Sequence, residues 1–330
     1  MSSKIAIEVS NLTKYYGDLL AVDHVDFEIY RGEFFGLLGP NGAGKTTTIR
    51  MLTGQTKPTS GNALVAAFDI THQATKAKER VGVVPEVSNL YDEMSARDNL
   101  IFAAQLYDVP KNERDKRAKE LLELFGLYER QKDRVGIFSR GMKKRLTIAA
   151  ALIHKPDILF LDEPTTGLDV QSSRMIRNLI KELNEKGTTI FLTTHYIEEA
   201  DQLCQRVAII NQGRIIAVDS PEGLKAAMEK HHIIEVSFSP VQALDDKLRR
   251  LKHVSRVSRI GDKFRLHVED ASEAVPLLID FGRENNLRIM SINTLKPSLE
   301  DAFVEITGLS PEVMTTEKEQ VRREKSASAG

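Results

Sequence analysis

Residues 39–47 of this 330-residue chain read Gly39-Pro40-Asn41-Gly42-Ala43-Gly44-Lys45-Thr46-Thr47. The run matches the phosphate-loop pattern, in which a glycine and four further residues precede Gly-Lys-Thr. Its glycines allow the backbone N–H groups to turn inward on phosphates, aided by the positive end of the following helix. Lys45 is expected to contact the β- and γ-phosphates, and Thr46 to ligate Mg²⁺. The loop therefore predicts a binding site for a nucleoside triphosphate.

The flanking sequence fits an α/β core around this loop. The apolar run FFGLLG precedes the loop, and TTTIRMLTG follows it. The same order of strand, loop and helix recurs at ILFLDEP, residues 158–164, with a helix expected at about 170–185. TTIFLTTH, residues 188–195, is expected to form another buried strand.

Two further segments of the first 230 residues have a different character. Residues 4 to about 33 alternate between apolar and polar, which predicts antiparallel strands with one wet face. Residues from about 89 to 151 carry apolar side chains at three- and four-residue steps. We therefore expect an antiparallel β subdomain and a helical insert within one nucleotide-binding domain, residues 1–230.

The remainder of the chain predicts a second domain, because 330 residues exceed the usual size of one core. Residues 232–308 follow the order β-α-β-β-α-β, which is that of a small α+β ferredoxin-like domain. Residues 311–330 are polar and charged, so burial cannot offset their ordering entropy. We expect a disordered tail there.

Composition excludes several functional classes. The 46 Lys+Arg nearly cancel the 47 Asp+Glu, so no net field favours nucleic acid, and none is expected as a partner. Cys204 is the only cysteine, which rules out an intramolecular disulfide and a thiolate metal cluster. The sequence offers no signal-peptide core and no bilayer-length apolar span. A cytoplasmic location is expected.

Two carboxylates end the strand at residues 158–162. Asp162 and Glu163 fall at the carboxyl end of a buried strand, where ligands of open α/β sheets collect. Asp162 is expected to hold the Mg²⁺ shell, and Glu163 to polarise the attacking water. A charged pair at a strand end is by itself usually a solvated cap. Beside a phosphate loop, it supplies what phosphoryl transfer needs, namely positioning and charge stabilisation.

The segment Phe138-Ser139-Arg140-Gly141-Met142 narrows the kind of nucleotide enzyme. It resembles the signature Leu-Ser-Gly-Gly-Gln of the ABC ATPases, with Ser139 and Gly141 kept and two positions changed. Further elements of that family occur in the expected order along the chain. The resemblance implies that Tyr16 stacks on adenine, that Asp169 of Gly167-Leu168-Asp169 contacts a dimer partner, and that His195 senses the γ-phosphate.

One position departs from the family. Glu86 stands where the family usually has a glutamine that touches Mg²⁺ and the attacking water. A carboxylate there is tolerable opposite the metal but repels a γ-phosphate, so we expect an altered hydrolysis rate or Mg²⁺ requirement. An unchanged turnover and Mg²⁺ dependence in Glu86→Gln would contradict this.

The resemblance implies a P-loop NTPase fold of the ABC type and an ATPase that needs ATP and Mg²⁺. The run Pro297-Ser298-Leu299-Glu300-Asp301-Ala302-Phe303 is similar to the ATP-binding subunits of ABC-2-type exporters. Such subunits pair head to tail, as a homodimer or with another ATPase subunit, around two ATP molecules. Ser139 and Gly141 would then act on the partner's nucleotide. A membrane permease is implied, with Leu90, Tyr91 and Met94 as docking candidates, which places the subunit on the inner face of the membrane.

Two alternatives remain open at the sequence level. One is a soluble ABC-type ATPase acting on a ribosome, DNA or another assembly, although such relatives usually carry tandem ATPase domains, long insertions or cysteine clusters. The other is an importer ATPase whose second domain is a regulatory sensor, since the ferredoxin-like order fits both. The sequence names neither the transported substrate nor the direction of transport.

Overall fold

The computed structural model describes residues 4–227, 232–240 and 244–309. These residues form two compact units, which divide between Ser220 and Pro221. This boundary lies ten residues before the predicted domain end at 230, because the helix Pro221–Ala226 packs against the helix Leu299–Thr307 of the second unit. The predicted tail at 311–330 lies outside the described residues.

Within the described residues, the first unit contains ten strands and seven α-helices, numbered here in chain order. Its strands are β1 (Ile5–Tyr16), β2 (Leu19–Tyr30), β3 (Phe34–Leu38), β4 (Ser60–Val65), β5 (Phe68–Asp69), β6 (Val81–Val84), β7 (Ile158–Asp162), β8 (Thr189–Thr194), β9 (Arg206–Asn211) and β10 (Arg214–Asp219). Its helices are α1 (Lys45–Leu52), α2 (Ala74–Lys78), α3 (Ala96–Leu106), α4 (Lys111–Leu124), α5 (Arg140–Leu152), α6 (Val170–Glu185) and α7 (Ile197–Leu203).

A six-stranded sheet in the order β10-β9-β3-β8-β7-β6 carries the phosphate loop. β3 pairs in parallel with β8 and β9, and β7 pairs in parallel with β6 and β8. Every residue of β3, β7 and β8 is buried, as expected for short apolar runs in a parallel sheet. Phe35 and Phe191 pack with ring centroids 5.9 Å apart across this core. The carboxyl ends of these strands therefore meet on one edge.

A second, antiparallel sheet has the order β2-β1-β4-β5. Along β2, Val25, Phe27 and Ile29 are buried, whereas Asp26 and Glu28 between them are exposed. This alternation confirms the prediction of strands with one wet face. Strand β1 ends at Tyr16, and the ring of this residue lies close to the phosphate loop, as described below.

Three helices, α3, α4 and α5, form the predicted helical insert. Ser95 caps α3, because its side chain accepts a hydrogen bond from the Asp98 N–H. α3 packs against both α4 and α5. Leu100 of α3 and Leu122 of α4 have no exposed surface, and burial of each contributes about 2–3 kcal/mol. The insert is thus held by its own apolar contacts.

The second unit contains a four-stranded antiparallel sheet, whose strands are β11 (His232–Ser239), β12 (Val254–Ile260), β13 (Lys263–Val268) and β14 (Arg288–Leu295). Their order in the sheet is β12-β13-β11-β14. Its core includes Ile234 and Phe264 from the sheet and Leu278 from the long helix. The chain order β-α-β-β-α-β agrees with the sequence prediction, and two helices flank it. The helices of this unit are α8 (Pro221–Ala226), α9 (Asp245–Leu248), α10 (Ala271–Glu284) and α11 (Leu299–Thr307).

None of the helices within the described ranges 4–227, 232–240 and 244–309 combines the length and apolar character needed to span a bilayer.

Candidate active site

The phosphate loop connects the end of β3 to the start of α1, and two of its glycines are required by close backbone contacts. A Cβ on Gly39 would lie 2.2 Å from the carbonyl oxygen of Ile210. A Cβ on Gly44 would lie 2.5 Å from the carbonyl oxygen of Ala21, and Gly44 has a φ of 104°. No other residue type fits these positions without a shift of the neighbouring chain.

Lys45 is buried beneath this loop. Its Nζ donates to the carbonyl oxygens of Gly39 and Pro40, at 2.8 and 2.9 Å. The same Nζ lies 3.4 Å from Oε1 of Glu163, and both side chains are at most 5% exposed. The ammonium group is therefore fixed between the backbone of the loop and the Glu163 carboxylate.

Asp162 is surrounded by hydroxyl groups. Its Oδ1 accepts hydrogen bonds from Thr46 Oγ1 at 3.2 Å and from Thr193 Oγ1 at 2.6 Å. Burial raises the pKa of the Asp162 carboxyl, while these two hydrogen bonds act to lower it. Sequence reasoning missed Thr193. The signal for it is the sheet register, since Thr193 of β8 is the parallel partner of Asp162 in β7.

Glu163 adopts a left-handed backbone with a φ of 44°, a conformation that costs a non-glycine residue about 1–3 kcal/mol. Its N–H donates to the carbonyl oxygen of Thr193 at 3.0 Å, and its Oε2 accepts from Thr166 Oγ1 at 3.1 Å. His195 Nδ1 lies 3.1 Å from the same Oε2, although the two atoms do not have the angles of a hydrogen bond. The carboxylate is thus held by contacts on several sides.

A cleft of about 570 Å³ opens over the loop, a volume in the range of small-molecule sites. The exposed ring of Tyr16 stands at one side of it, and Gln212 and Gly213, which sequence reasoning missed, close another. Asp162 and His195 lie behind this surface, in contact with Thr46 and Glu163. The predicted residues that line the cleft are Tyr16, Asn41, Gly42, Gly44, Lys45, Thr46, Thr47, Glu86 and Glu163.

Lys144 is a second buried lysine beside the cleft, and the sequence analysis did not single it out. Its Nζ donates to the carbonyl oxygens of Pro85 and Glu86, at 3.0 and 2.9 Å. Burial lowers the pKa of Lys144 to about 8, against the opposing pull of the carboxylates of Glu86, Asp162 and Glu163. In the sequence, Lys143-Lys144-Arg145 reads as an ordinary solvated basic run.

Ser139, Gly141 and Asp169 do not line the cleft of their own chain. Ser139 caps α5 by accepting from the Met142 N–H at 3.3 Å. Asp169 caps α6, where its two oxygens accept from the N–H and the hydroxyl of Ser172, each at 2.8 Å. The backbone N–H of Ser172 is the main cause of a lowered pKa for the Asp169 carboxyl. A Cβ on Gly141 would lie 2.6 Å from Ser172 Oγ, so the glycine allows the close approach of α5 and α6.

Two family models match the chain. Residues 22–166 match the model described as ABC transporter, and this range contains the phosphate loop, Glu86, Ser139 and Glu163. Residues 220–307 match the model described as ATP-binding protein DrrA1-3-like, C-terminal domain. The second match coincides closely with the second structural unit, 221–309.

Curated relatives and solved structures agree with these matches. The linearmycin resistance ATP-binding protein LnrL of Bacillus subtilis is 39% identical over 305 residues, covering 92% of this chain and 98% of the relative. The Nod factor export ATP-binding protein I of Cupriavidus metallidurans is 39% identical over 303 residues, covering 92% and 97%. Among solved structures, cbiO1 of Clostridium perfringens, part of the ABC transporter complex cbiONQ, has a TM-score of 0.63 at 31% identity, covering 69% and 93%. A dimeric bacterial ABC transporter cassette has a TM-score of 0.60 at 29% identity, covering 65% and 98%. This chain therefore belongs to the ABC transporter family, as one of its ATP-binding and ATP-hydrolysing subunits.

Proposed function

We propose that ATP binds in the cleft over the phosphate loop and that Glu163 accepts a proton from the attacking water. The observation that carries this proposal is the buried group formed by Lys45, Glu163 and His195 around the loop. Lys45 supplies positive charge for the β- and γ-phosphates, and His195 holds the γ-phosphate side of the site. Tyr16, half exposed at the cleft edge, stacks on the adenine.

The residues beside the loop suit a magnesium ion. The donors are the hydroxyl of Thr46 and the carboxylates of Asp162 and Glu86, all hard oxygen ligands. No cluster of three or more His, Cys, Asp or Glu side chains suited to a metal occurs in the described part of the chain. Mg²⁺ is usually held by one or two carboxylates together with substrate phosphates. When bound, the ion neutralises charge on the phosphates.

We propose further that the chain works as a dimer in which Ser139 and Gly141 act on the partner's ATP and Asp169 contacts the partner subunit. Ser139 and Asp169 are exposed, and both cap helices whose N–H groups favour anions. Neither lies at its own cleft. A second copy, or a paired ATPase subunit, would place the start of α5 over the γ-phosphate. The similar cassette that forms a dimer supports this arrangement.

A groove of about 1010 Å³ in the first unit is our proposed docking site for a cytoplasmic segment of a membrane permease. Val87, Leu106 and Tyr107 line it, and their exposed fractions are 78%, 66% and 38%. Of the candidates from the sequence, Leu90 and Tyr91 line a smaller neighbouring cavity. The Tyr91 ring packs edge-on against Phe102, so part of its surface serves its own domain. Glu86 belongs to the same loop, which connects the groove to the cleft.

Export is the direction that we propose, with the subunit held at the inner face of the membrane by its permease. Two curated relatives that each share 39% identity with nearly the whole chain are named for resistance and for export.

The variant Glu163→Gln tests the proposal when it is used as bait to capture the membrane partner. The side chain keeps its shape but loses the proton acceptor, so hydrolysis should fall about 10²–10⁴-fold while ATP remains bound. With ATP and Mg²⁺ in detergent-solubilised membranes, it should capture a protein with several membrane spans. Glu185→Gln, at an exposed position at the end of α6, is the matched control and should hydrolyse ATP normally. Recovery of only ribosomal or other soluble partners would overturn the transport proposal.

A further inference from the structure

Three functional segments meet at a cavity of about 280 Å³ next to the cleft. They are the loop after β6, the first turns of α5 and the loop before α6. The cavity is rich in basic side chains and contains one carboxylate. Its lining residues are Glu86, Val87, Ser88, Arg140, Lys143, Lys144, Thr166, Gly167 and Leu168.

Each of the three α5 cations that line the cavity has a different contact. Arg140 Nη1 lies 3.5 Å from the carbonyl oxygen of Gly167, and Lys143 Nζ donates to an Asp92 oxygen at 2.7 Å. Both of these contacts are at exposed positions. Lys144 differs, because it is 5% exposed and donates to two consecutive backbone carbonyls.

We propose that Lys144 is a positioning residue, which holds the Glu86 carboxylate at the phosphate cleft and offsets the negative charge that Glu86 brings there. This inference rests on the proposed function, because Glu86 matters only if the cleft hydrolyses ATP. Lys144 lies on α5, the helix that begins in the signature-like segment, so this helix would also serve the nucleotide site of its own chain.

The backbone contacts of Lys144 support the positioning role. Hydrogen bonds from a charged donor are stronger than those between neutral groups, and Lys144 makes two, at 3.0 and 2.9 Å. They fall on Pro85 and Glu86, directly after β6 ends at Val84. Pro85 has no N–H with which to extend the ladder of β6. The lysine thus fixes the backbone from which the Glu86 side chain enters the cleft.

The charges around Lys144 support the second part of the role. The carboxylates of Glu86, Asp162 and Glu163 all act on its ammonium group. Asp162 and Glu163 are at most 6% exposed, and Glu86 stands where the family usually has a neutral glutamine. These carboxylates repel one another and the phosphates; Lys45, 3.4 Å from Glu163, offsets part of that repulsion, and Lys144 adds a second buried positive charge. A buried cation among them lowers that repulsion.

The test is a double-mutant cycle with ATPase kinetics on the full chain. Lys144→Met removes the donor and the charge, and Glu86→Ala removes the side chain that we propose it positions. In the wild-type background, Lys144→Met should lower kcat at least tenfold and change the KM for ATP less than threefold. In the Glu86→Ala background, the same substitution should lower kcat less than threefold. Lys144→Arg, which keeps donors and charge, should recover kcat to within threefold of wild type.

Several results would overturn the inference. These are an unchanged kcat in Lys144→Met, an equal fall in both backgrounds, or a change confined to KM. Lys181→Met, at an exposed position on α6, is the matched control and should behave as wild type. If circular dichroism shows that Lys144→Met is not folded, Lys144→Gln replaces it in the same cycle with the same criteria. The wild-type rate, measured first, judges the proposed function, whereas the ratios between variants judge Lys144.

Discussion

Thr193→Val is expected to weaken the use of Mg²⁺ without disturbing the fold. Thr193 is fully buried, and its Oγ1 donates to Asp162 Oδ1 at 2.6 Å. Valine has nearly the same shape but no hydroxyl, so the carboxylate keeps only the longer hydrogen bond from Thr46, at 3.2 Å. The N–H of Glu163 still donates to the carbonyl oxygen of Thr193, which the substitution leaves in place.

Two independent considerations give the same size of effect for Thr193→Val. A hydrogen bond to a charged group contributes about 1.5–3 kcal/mol. Loss of a residue that orients a metal ligand typically lowers metal affinity about 10–100-fold, which corresponds to about 1.4–2.7 kcal/mol. The half-saturating Mg²⁺ concentration should therefore rise about 10–100-fold.

The pH dependence of this variant has a definite sign. The hydrogen bond from Thr193 acts to lower the pKa of Asp162, which burial has raised. Without it, the pKa rises further and the carboxylate is protonated over a wider range of pH. The Mg²⁺ defect of Thr193→Val should therefore grow as the pH is lowered.

The assay for Thr193 is a Mg²⁺ titration of ATP hydrolysis at two pH values, with thermal unfolding as the check on folding. Thr193→Ser keeps the hydroxyl and is the matched control, with an expected Mg²⁺ requirement within threefold of wild type. A folded Thr193→Val with the wild-type Mg²⁺ requirement would refute the reasoning. So would a loss of equal size in Thr193→Ser.

Three further substitutions test separate parts of the site. Asp162→Asn should raise the melting temperature of the nucleotide-free protein by a few degrees, because it neutralises a buried carboxyl whose pKa is raised. It should also abolish Mg²⁺-dependent hydrolysis, because the proposed Mg²⁺ ligand loses its charge. A lowered melting temperature by differential scanning fluorimetry would contradict the first expectation. Gly39→Ala should cost about 3 kcal/mol of unfolding free energy and abolish ATP binding, because the new Cβ would overlap the Ile210 carbonyl; urea unfolding at the wild-type midpoint would count against it. Tyr16→Ala should raise the Kd for ATP about five- to tenfold with little change in kcat, since stacking on a base contributes about 1–3 kcal/mol and the ring is half exposed; an unchanged Kd for a fluorescent ATP analogue would exclude the stacking role.

The parts of the fold that follow from local chemistry could be predicted from the sequence. The phosphate loop needs its glycines in fixed positions, and it lies between β3 and α1 as its pattern requires. The helix expected at about 170–185 is α6, Val170–Glu185, capped by Asp169. The β-α-β-β-α-β order of the second unit was also readable, because periodicity switches between 2 and 3.6 along it. Each of these signals is contained within a short stretch of chain.

What could not be predicted depends on which segments meet in space. Thr193 is one of several threonines in β8, and only the register between β7 and β8 places it against Asp162. Lys144 lies in a basic run, and only the packing of α5 beside β6 buries it. The helix α8 follows the first unit in sequence but belongs to the second, because it packs against α11. None of these contacts leaves a periodic or compositional trace.

Burial of ionisable side chains identifies this site independently of any pattern. Nine Asp, Glu, Lys or His side chains are buried in the described part of the chain, and five of them lie at or next to the cleft. The other four each pair with a cation nearer the surface or with a hydroxyl, as ordinary structural groups do. At the cleft, Lys45 and His195 instead both contact Glu163, which also has a left-handed backbone. Grouping buried charges in this way lowers the stability of the fold. A protein with no charged ligand to bind would therefore be more stable with uncharged side chains at these positions. The five residues are Lys45, Lys144, Asp162, Glu163 and His195.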